Sequence, residues 1–133
     1  MRDGKTRRRK VEDAVARGAH GWLATLVEVQ GGAEGNEYPL VGERIVIGRG
    51  PDVDLAFEDG EMSAKHAVFE HSRGGLCLTD LGSTNGTRVN GERLVTRALA
   101  HGDRIELGSH VFHLLLEKQE KPPRTWVVDV FDE

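Results

Sequence analysis

From residue 22 onward the chain is built of short apolar segments separated by turn residues. Residues 22–29, Trp-Leu-Ala-Thr-Leu-Val-Glu-Val, read as a first strand, and the glycines and Asn36 that follow read as a loop. Further strand-like segments lie at residues 38–40, 44–47, 53–57, 65–70, 76–79, 87–89, 92–94, 104–107 and 111–116. Many short strands at this spacing predict an all-β fold, a β-sandwich. The turns agree: Asn90-Gly91 between two such runs is a strong hairpin signal, and Gly102-Asp103 and Gly108-Ser109 mark two more. Residues 1–21 carry no strand pattern, and the turn or two of helix that residues 11–16 would allow is too short to be stable alone. Pro122-Pro123 ends the patterned region. The organisation expected is a basic N-terminal tail over 1–21, one domain over 22–117, and a linker with an acidic-hydrophobic tail over 118–133.

Composition supports this picture and removes several function classes. A chain of 133 residues with 17 glycines, 5% aromatic and 30% charged residues suits one soluble β domain with tight turns. The net charge of −4 argues against a nucleic-acid binder, although Arg2, Lys5, Arg7, Arg8, Arg9 and Lys10 crowd the first ten residues as a solvated arm. No apolar run approaches the roughly 20 residues of a membrane span. No apolar centre follows the basic opening, so a cytoplasmic protein is expected. The single Cys77 excludes an internal disulfide and reads as a small buried hydrophobe. No metal or other cofactor is expected: the six histidines show no zinc spacing, and the acidic residues 52, 54, 58 and 59 are interrupted by Leu55 and Phe57 and form no calcium loop. His110 and His113, three apart in a strand, face opposite sides.

The candidate chemistry lies in three separated stretches: Gly48-Arg49 after an apolar run, Ser63-Ala64-Lys65-His66 after an acidic turn, and residues 81–87, Leu-Gly-Ser-Thr-Asn-Gly-Thr, leading to Val89-Asn90-Gly91. A fixed order of small, hydroxyl, amide and glycine residues between two strands builds a loop that points polar groups outward. In order and spacing the three stretches resemble the forkhead-associated (FHA) domain, a phosphothreonine-peptide reader, over residues 22–117. The resemblance implies a sandwich of two mainly antiparallel sheets, about eleven strands in all, with the peptide site on loops at one end.

It also implies roles. A phosphothreonine carries close to two negative charges and three acceptor oxygens, so its reader must offer convergent donors and a positive charge. Arg49 is the implied anchor, with a planar guanidinium able to donate two parallel hydrogen bonds. Ser63 and Thr84 are the implied hydroxyls to the phosphate, and Asn85 the amide that pairs with the peptide main chain. A small apolar pocket in the family receives the threonine methyl. Gly48, Ser83 and Gly86 support the loops, and Gly82 and Gly86 allow close approach. His66 is implied to be a scaffold residue tying the loops together. Ala64 departs from the family, where many members carry a basic residue or Asn after the Ser. It offers only its backbone, and Lys65 compensates only where its side chain points toward the site.

The implied partner is a phosphothreonine-containing protein or peptide, a Ser/Thr kinase or its substrate, in kinase signalling or a phospho-regulated assembly. The competing reading is an FHA-like scaffold that binds a folded partner independently of phosphate. An enzyme is not expected, because the Ser63-His66 pair has no third group to orient the base and no oxyanion loop.

Overall fold

The computed structural model describes residues 21–118, which form eleven strands and no helix. One sheet holds, in spatial order, β2 (Glu37–Pro39), β1 (Trp22–Gln30), β11 (His110–Lys118), β10 (Arg104–Leu107), β7 (Thr87–Val89) and β8 (Glu92–Arg93). The other holds β4 (Leu55–Ala56), β3 (Arg44–Gly48), β5 (Ala67–Ser72), β6 (Gly75–Asp80) and β9 (Thr96–Ala98). All pairings are antiparallel except β3 with β4. The expected all-β sandwich of two mainly antiparallel sheets is therefore observed. The expectations for the two tails fall on residues 1–20 and 119–133, outside the described residues.

Alternation sets which side chains form the core. Ala24 and Leu26 of β1, Phe112, Leu114 and Leu116 of β11, and Ile105 and Leu107 of β10 are buried from one sheet; Ile45, Ile47, Phe69, Leu76 and Leu78 are buried from the other. Burying each of the Leu, Ile and Phe side chains contributes about 1.5–3 kcal/mol. Leu40, Met62, Leu94 and Leu99 close the core from the connections.

Three local expectations are corrected. Cys77 is half-buried, because β6 alternates and gives its inward positions to Leu76 and Leu78. Gly102-Asp103 is not a hairpin: it joins β9 in one sheet to β10 in the other. The strand expected over 53–57 shrinks to Leu55–Ala56, because Asp54 turns back onto β3. Its N–H donates to the Val46 carbonyl at 2.8 Å, and its carboxylate accepts from the Val46 N–H at 2.8 Å. The Asn90-Gly91 turn does join an antiparallel pair, β7 and β8, with both residues at positive φ (53° and 88°).

This topology gathers the conspicuous loops. Ile47 pairs with Ala67 and Ala67 with Asp80, so the end of β3, the start of β5 and the end of β6 share one edge of the sandwich. Leu107 pairs with Thr87, which brings the start of β7 and the Gly108-Ser109 turn to the same end.

Candidate functional site

The first two loops, residues 49–54 and 57–66, are zipped together by their backbones. The Arg49 N–H donates to the Ser63 carbonyl at 2.9 Å and the Gly50 N–H to the Ala64 carbonyl at 3.0 Å. That closeness explains Gly48: a Cβ there would lie 2.2 Å from the Ala64 carbonyl oxygen, so any larger residue forces the loops apart. The Arg49 side chain is exposed, and its Nε–H donates to the Met62 carbonyl at 2.9 Å. One edge of the guanidinium is held, and its terminal nitrogens have no partner among the described residues.

His66 joins the second loop to the third, residues 81–86. Its ring is fully buried; Nδ1 accepts from the Ser63 N–H at 3.0 Å, so Nε2 carries the hydrogen and donates to the Gly86 carbonyl at 2.9 Å. These two bonds fix the tautomer. The His66 backbone bridges as well, from Ile47 on β3 to Leu81. A direct link completes the connection: the Thr84 N–H donates to the Ser63 hydroxyl oxygen at 3.0 Å. Among the described residues the Ser63 hydroxyl donates to no acceptor.

The third loop is organised by Asp80, a residue that the sequence reading did not single out. One carboxylate oxygen accepts from the N–H groups of Gly82 and Ser83 at 3.0 and 2.9 Å. The other accepts from the hydroxyls of Ser83 and Thr87 at 2.5 and 2.7 Å. Ser83 in turn accepts from the Gly86 N–H at 2.9 Å, so its place is inside the loop. Gly86 has φ +84° and is covered by Arg93, whose Nε would lie 2.6 Å from a Cβ there. The spacing of Asp80 to Gly82 and Ser83 is that of a side-chain-capped turn, the one signal in the sequence that marks it.

Burial alone would raise the carboxyl pKa of Asp80, but the bonds from Ser83 and Thr87, with His66 nearby, hold it below the ordinary 3.8. A carboxylate whose pKa is depressed by folding stabilises the fold above its unfolded pKa, and that stabilisation is lost as pH falls through the lower folded value. Asp80→Asn replaces one acceptor oxygen with a donor that faces donors. It is expected to cost about 1–3 kcal/mol at neutral pH. In urea denaturation the deficit should shrink in strong acid, where the wild-type carboxyl is also protonated; an unchanged deficit would place the loss elsewhere.

Thr84 and Asn85 are exposed at the loop tip, as are Ala64 and Lys65. The Asn85 side-chain amide donates to the Glu61 carbonyl at 2.9 Å and lies 3.4 Å from the Glu61 carboxylate. Of the expected residues, the structure thus brings Arg49, Ser63, Thr84 and Asn85 to one end, with Gly48, His66, Ser83 and Gly86 beneath them. Lys65 and Ala64 lie at the surface, with the Ala64 carbonyl spent on Gly50.

Asp59 anchors the second loop from below. It is buried, and its carboxylate accepts from the Glu61 N–H at 2.9 Å and from both the N–H and the hydroxyl of Ser109 at 2.9 Å. His110 lies 3.6 Å away and hydrogen-bonds the buried Glu28 through its other ring nitrogen, while the Tyr38 hydroxyl donates to Glu28 at 2.9 Å. Burial raises the Asp59 pKa, but hydrogen bonds from Ser109 and Glu61 and the charge of His110 outweigh it and hold the group below 3.8. Neither Asp59 nor Glu28 was legible as an interior group, since Ser109, which holds Asp59, and His110, which holds Glu28, lie 50 and 82 residues away in sequence.

Comparison with known proteins agrees with the geometry. The family model described as the FHA domain matches residues 45–108. The glycogen accumulation regulator GarA of Mycolicibacterium smegmatis is 36% identical over 85 residues, covering 64% of this chain and 54% of its own length. The oxoglutarate dehydrogenase inhibitor of Corynebacterium jeikeium is also 36% identical over 85 residues, 64% of this chain and 59% of its own. The chain therefore spans little more than half the length of these two regulators. Among solved structures, an FHA domain from work on phosphothreonine-dependent FHA interactions is 32% identical, with a TM-score of 0.63 over 75% of this chain and 98% of its own. Mycobacterium tuberculosis EmbR, solved with a low-affinity phosphopeptide, is 30% identical with a TM-score of 0.65 over 75% of this chain and 26% of its own. A two-sheet sandwich, three cross-linked loops at one end and these matches lead to one conclusion: the chain belongs to the FHA domain family.

Proposed function

We propose that this chain is a phosphothreonine-dependent protein-binding module that acts without catalysis in the cytoplasm. Its partners are a Ser/Thr kinase or a kinase substrate, within kinase signalling or a phospho-regulated assembly. The observation that carries this reading is the convergence of an exposed, edge-held guanidinium (Arg49) with the Ser63 hydroxyl, the Thr84 loop tip and the Asn85 amide, all bound to one another through His66 and the loop backbones. Arg49 takes the phosphate oxygens, Ser63 and Thr84 add hydroxyl donors, and Asn85 exchanges its bond to the Glu61 carbonyl for one to the peptide main chain. His66, Ser83, Gly48 and Gly86 hold the geometry.

Titration of matched peptides carrying phosphothreonine, phosphoserine, glutamate or unmodified threonine tests this. Only the phosphothreonine peptide is expected to bind tightly, since a carboxylate has fewer oxygens and less charge than a phosphate. Equal curves for phosphothreonine and phosphoserine would remove the threonine selectivity, and weak binding of every peptide would favour a phosphate-independent scaffold.

A further inference from the structure

Asn85 carries an acidic neighbour. Its amide nitrogen donates to the Glu61 carbonyl at 2.9 Å and lies 3.4 Å from the Glu61 carboxylate, so that charge sits beside the atom assigned to the peptide main chain. We propose that Glu61 selects phosphopeptides in which a lysine or arginine lies close to the phosphothreonine along the chain; this rests on the reading of Asn85 as the main-chain partner.

Three observations carry it. First, Glu61 is positioned by Asp59: its N–H donates to the Asp59 carboxylate, which Ser109 fixes, and the N–H of Met62 after it donates to the Asp59 carbonyl at 2.9 Å, bonds that stay in place when Asn85 turns to the peptide. A held backbone leaves only side-chain freedom to lose when a cation arrives. Second, the charge is exposed and, among the described residues, in no ion pair; its one contact is the long 3.4 Å bond from Asn85. The arginine–carboxylate ion pairs among the described residues are Arg44 with Glu70, Arg97 with Glu92 and Arg104 with Glu106; none of them, nor the contacts of His110 with Glu28 and Asp59, involves Glu61. Glu58, exposed in the same loop, adds to the negative potential. Third, the opposite charge is close by in the same loop framework, since the carbonyl that holds the Arg49 guanidinium belongs to Met62, the residue after Glu61. The site is therefore bipolar, with a cation for the phosphate and an anion next to it. A peptide with an acidic residue beside its phosphothreonine would bring like charge against Glu61, and a basic one would satisfy both ends.

The test uses one parent phosphothreonine peptide with alanine flanks. Lysine or glutamate is placed singly at each of three positions on either side, with the unphosphorylated parent as control. Dissociation constants are measured for the full chain, Glu61→Gln and Glu61→Lys, at low and physiological salt. At one flanking position at least, the lysine peptide is expected to bind the wild type about three- to fivefold more tightly than the alanine peptide, as an exposed ion pair allows. The glutamate peptide should bind more weakly. The preference should vanish in Glu61→Gln, invert in Glu61→Lys and narrow at higher salt. A wild type indifferent to lysine at every position, or a preference that survives Glu61→Gln, would overturn the proposal. So would an equal gain for all phosphopeptides in Glu61→Gln, which would make Glu61 a general repeller of phosphate. Binding that ignores the phosphate in every peptide is a separate result: it sinks the reader assignment itself and this inference with it.

Discussion

Replacing Arg49 with alanine is expected to weaken phosphothreonine-peptide binding by about 2–5 kcal/mol, a rise in Kd of roughly thirtyfold to several thousandfold, while the fold stays intact. The size follows from what is removed: a permanently charged group facing a ligand of nearly two negative charges, with its terminal nitrogens unpartnered among the described residues and its Nε already oriented by the Met62 carbonyl at 2.9 Å. Stability should change little, because the side chain is exposed and gives up one hydrogen bond to a loop carbonyl. Arg49→Lys keeps the charge but loses both the planar fork and the Nε donor, so it should recover only part of the affinity. Calorimetric titration of the three proteins with one phosphopeptide, beside their thermal melts, separates the terms. Wild-type affinity in Arg49→Ala would remove Arg49 from the site.

The strands were legible because alternation is local: β1 and β11 show their inward and outward faces in consecutive residues, and Asn90-Gly91 states its own turn. The polar residues of the proposed site were legible for the opposite reason. Arg49, Ser63, Thr84 and Asn85 interrupt the hydrophobic pattern with polar groups that no core needs. What stayed hidden are polar residues whose partners are distant or internal. Asp80 looks like any acid at a strand end, yet it accepts four hydrogen bonds within its own loop. Glu28 occupies an inward position that continues Ala24 and Leu26, and only the arrival of His110 and Tyr38 from other strands makes a carboxylate tolerable there. Asp54 fell inside a segment read as strand, where its turn back onto Val46 leaves no trace in the pattern. Local periodicity reports where a residue faces, not which distant group neutralises it.

The largest loss of stability is expected at His66. The ring is fully buried and bridges two loops, with Nδ1 accepting from the Ser63 N–H and Nε2 donating to the Gly86 carbonyl. In His66→Ala both backbone groups lose their partner and a side-chain-sized cavity opens, which together cost about 3–5 kcal/mol. For a domain of this size each kcal/mol lowers the Tm by roughly 4–8 °C, so a fall on the order of 12–40 °C is expected. His66→Asn sharpens the test. Its short side chain places an acceptor near the position of Nδ1 and so restores the bond to Ser63, but it cannot reach Gly86, which predicts an intermediate Tm. Phosphopeptide affinity should fall in both variants as the loops separate, and it should fall less in His66→Asn, where Ser63 keeps its support. If instead both variants melt like the wild type and lose binding alone, the histidine meets the ligand directly and its place as the tie between loops is wrong.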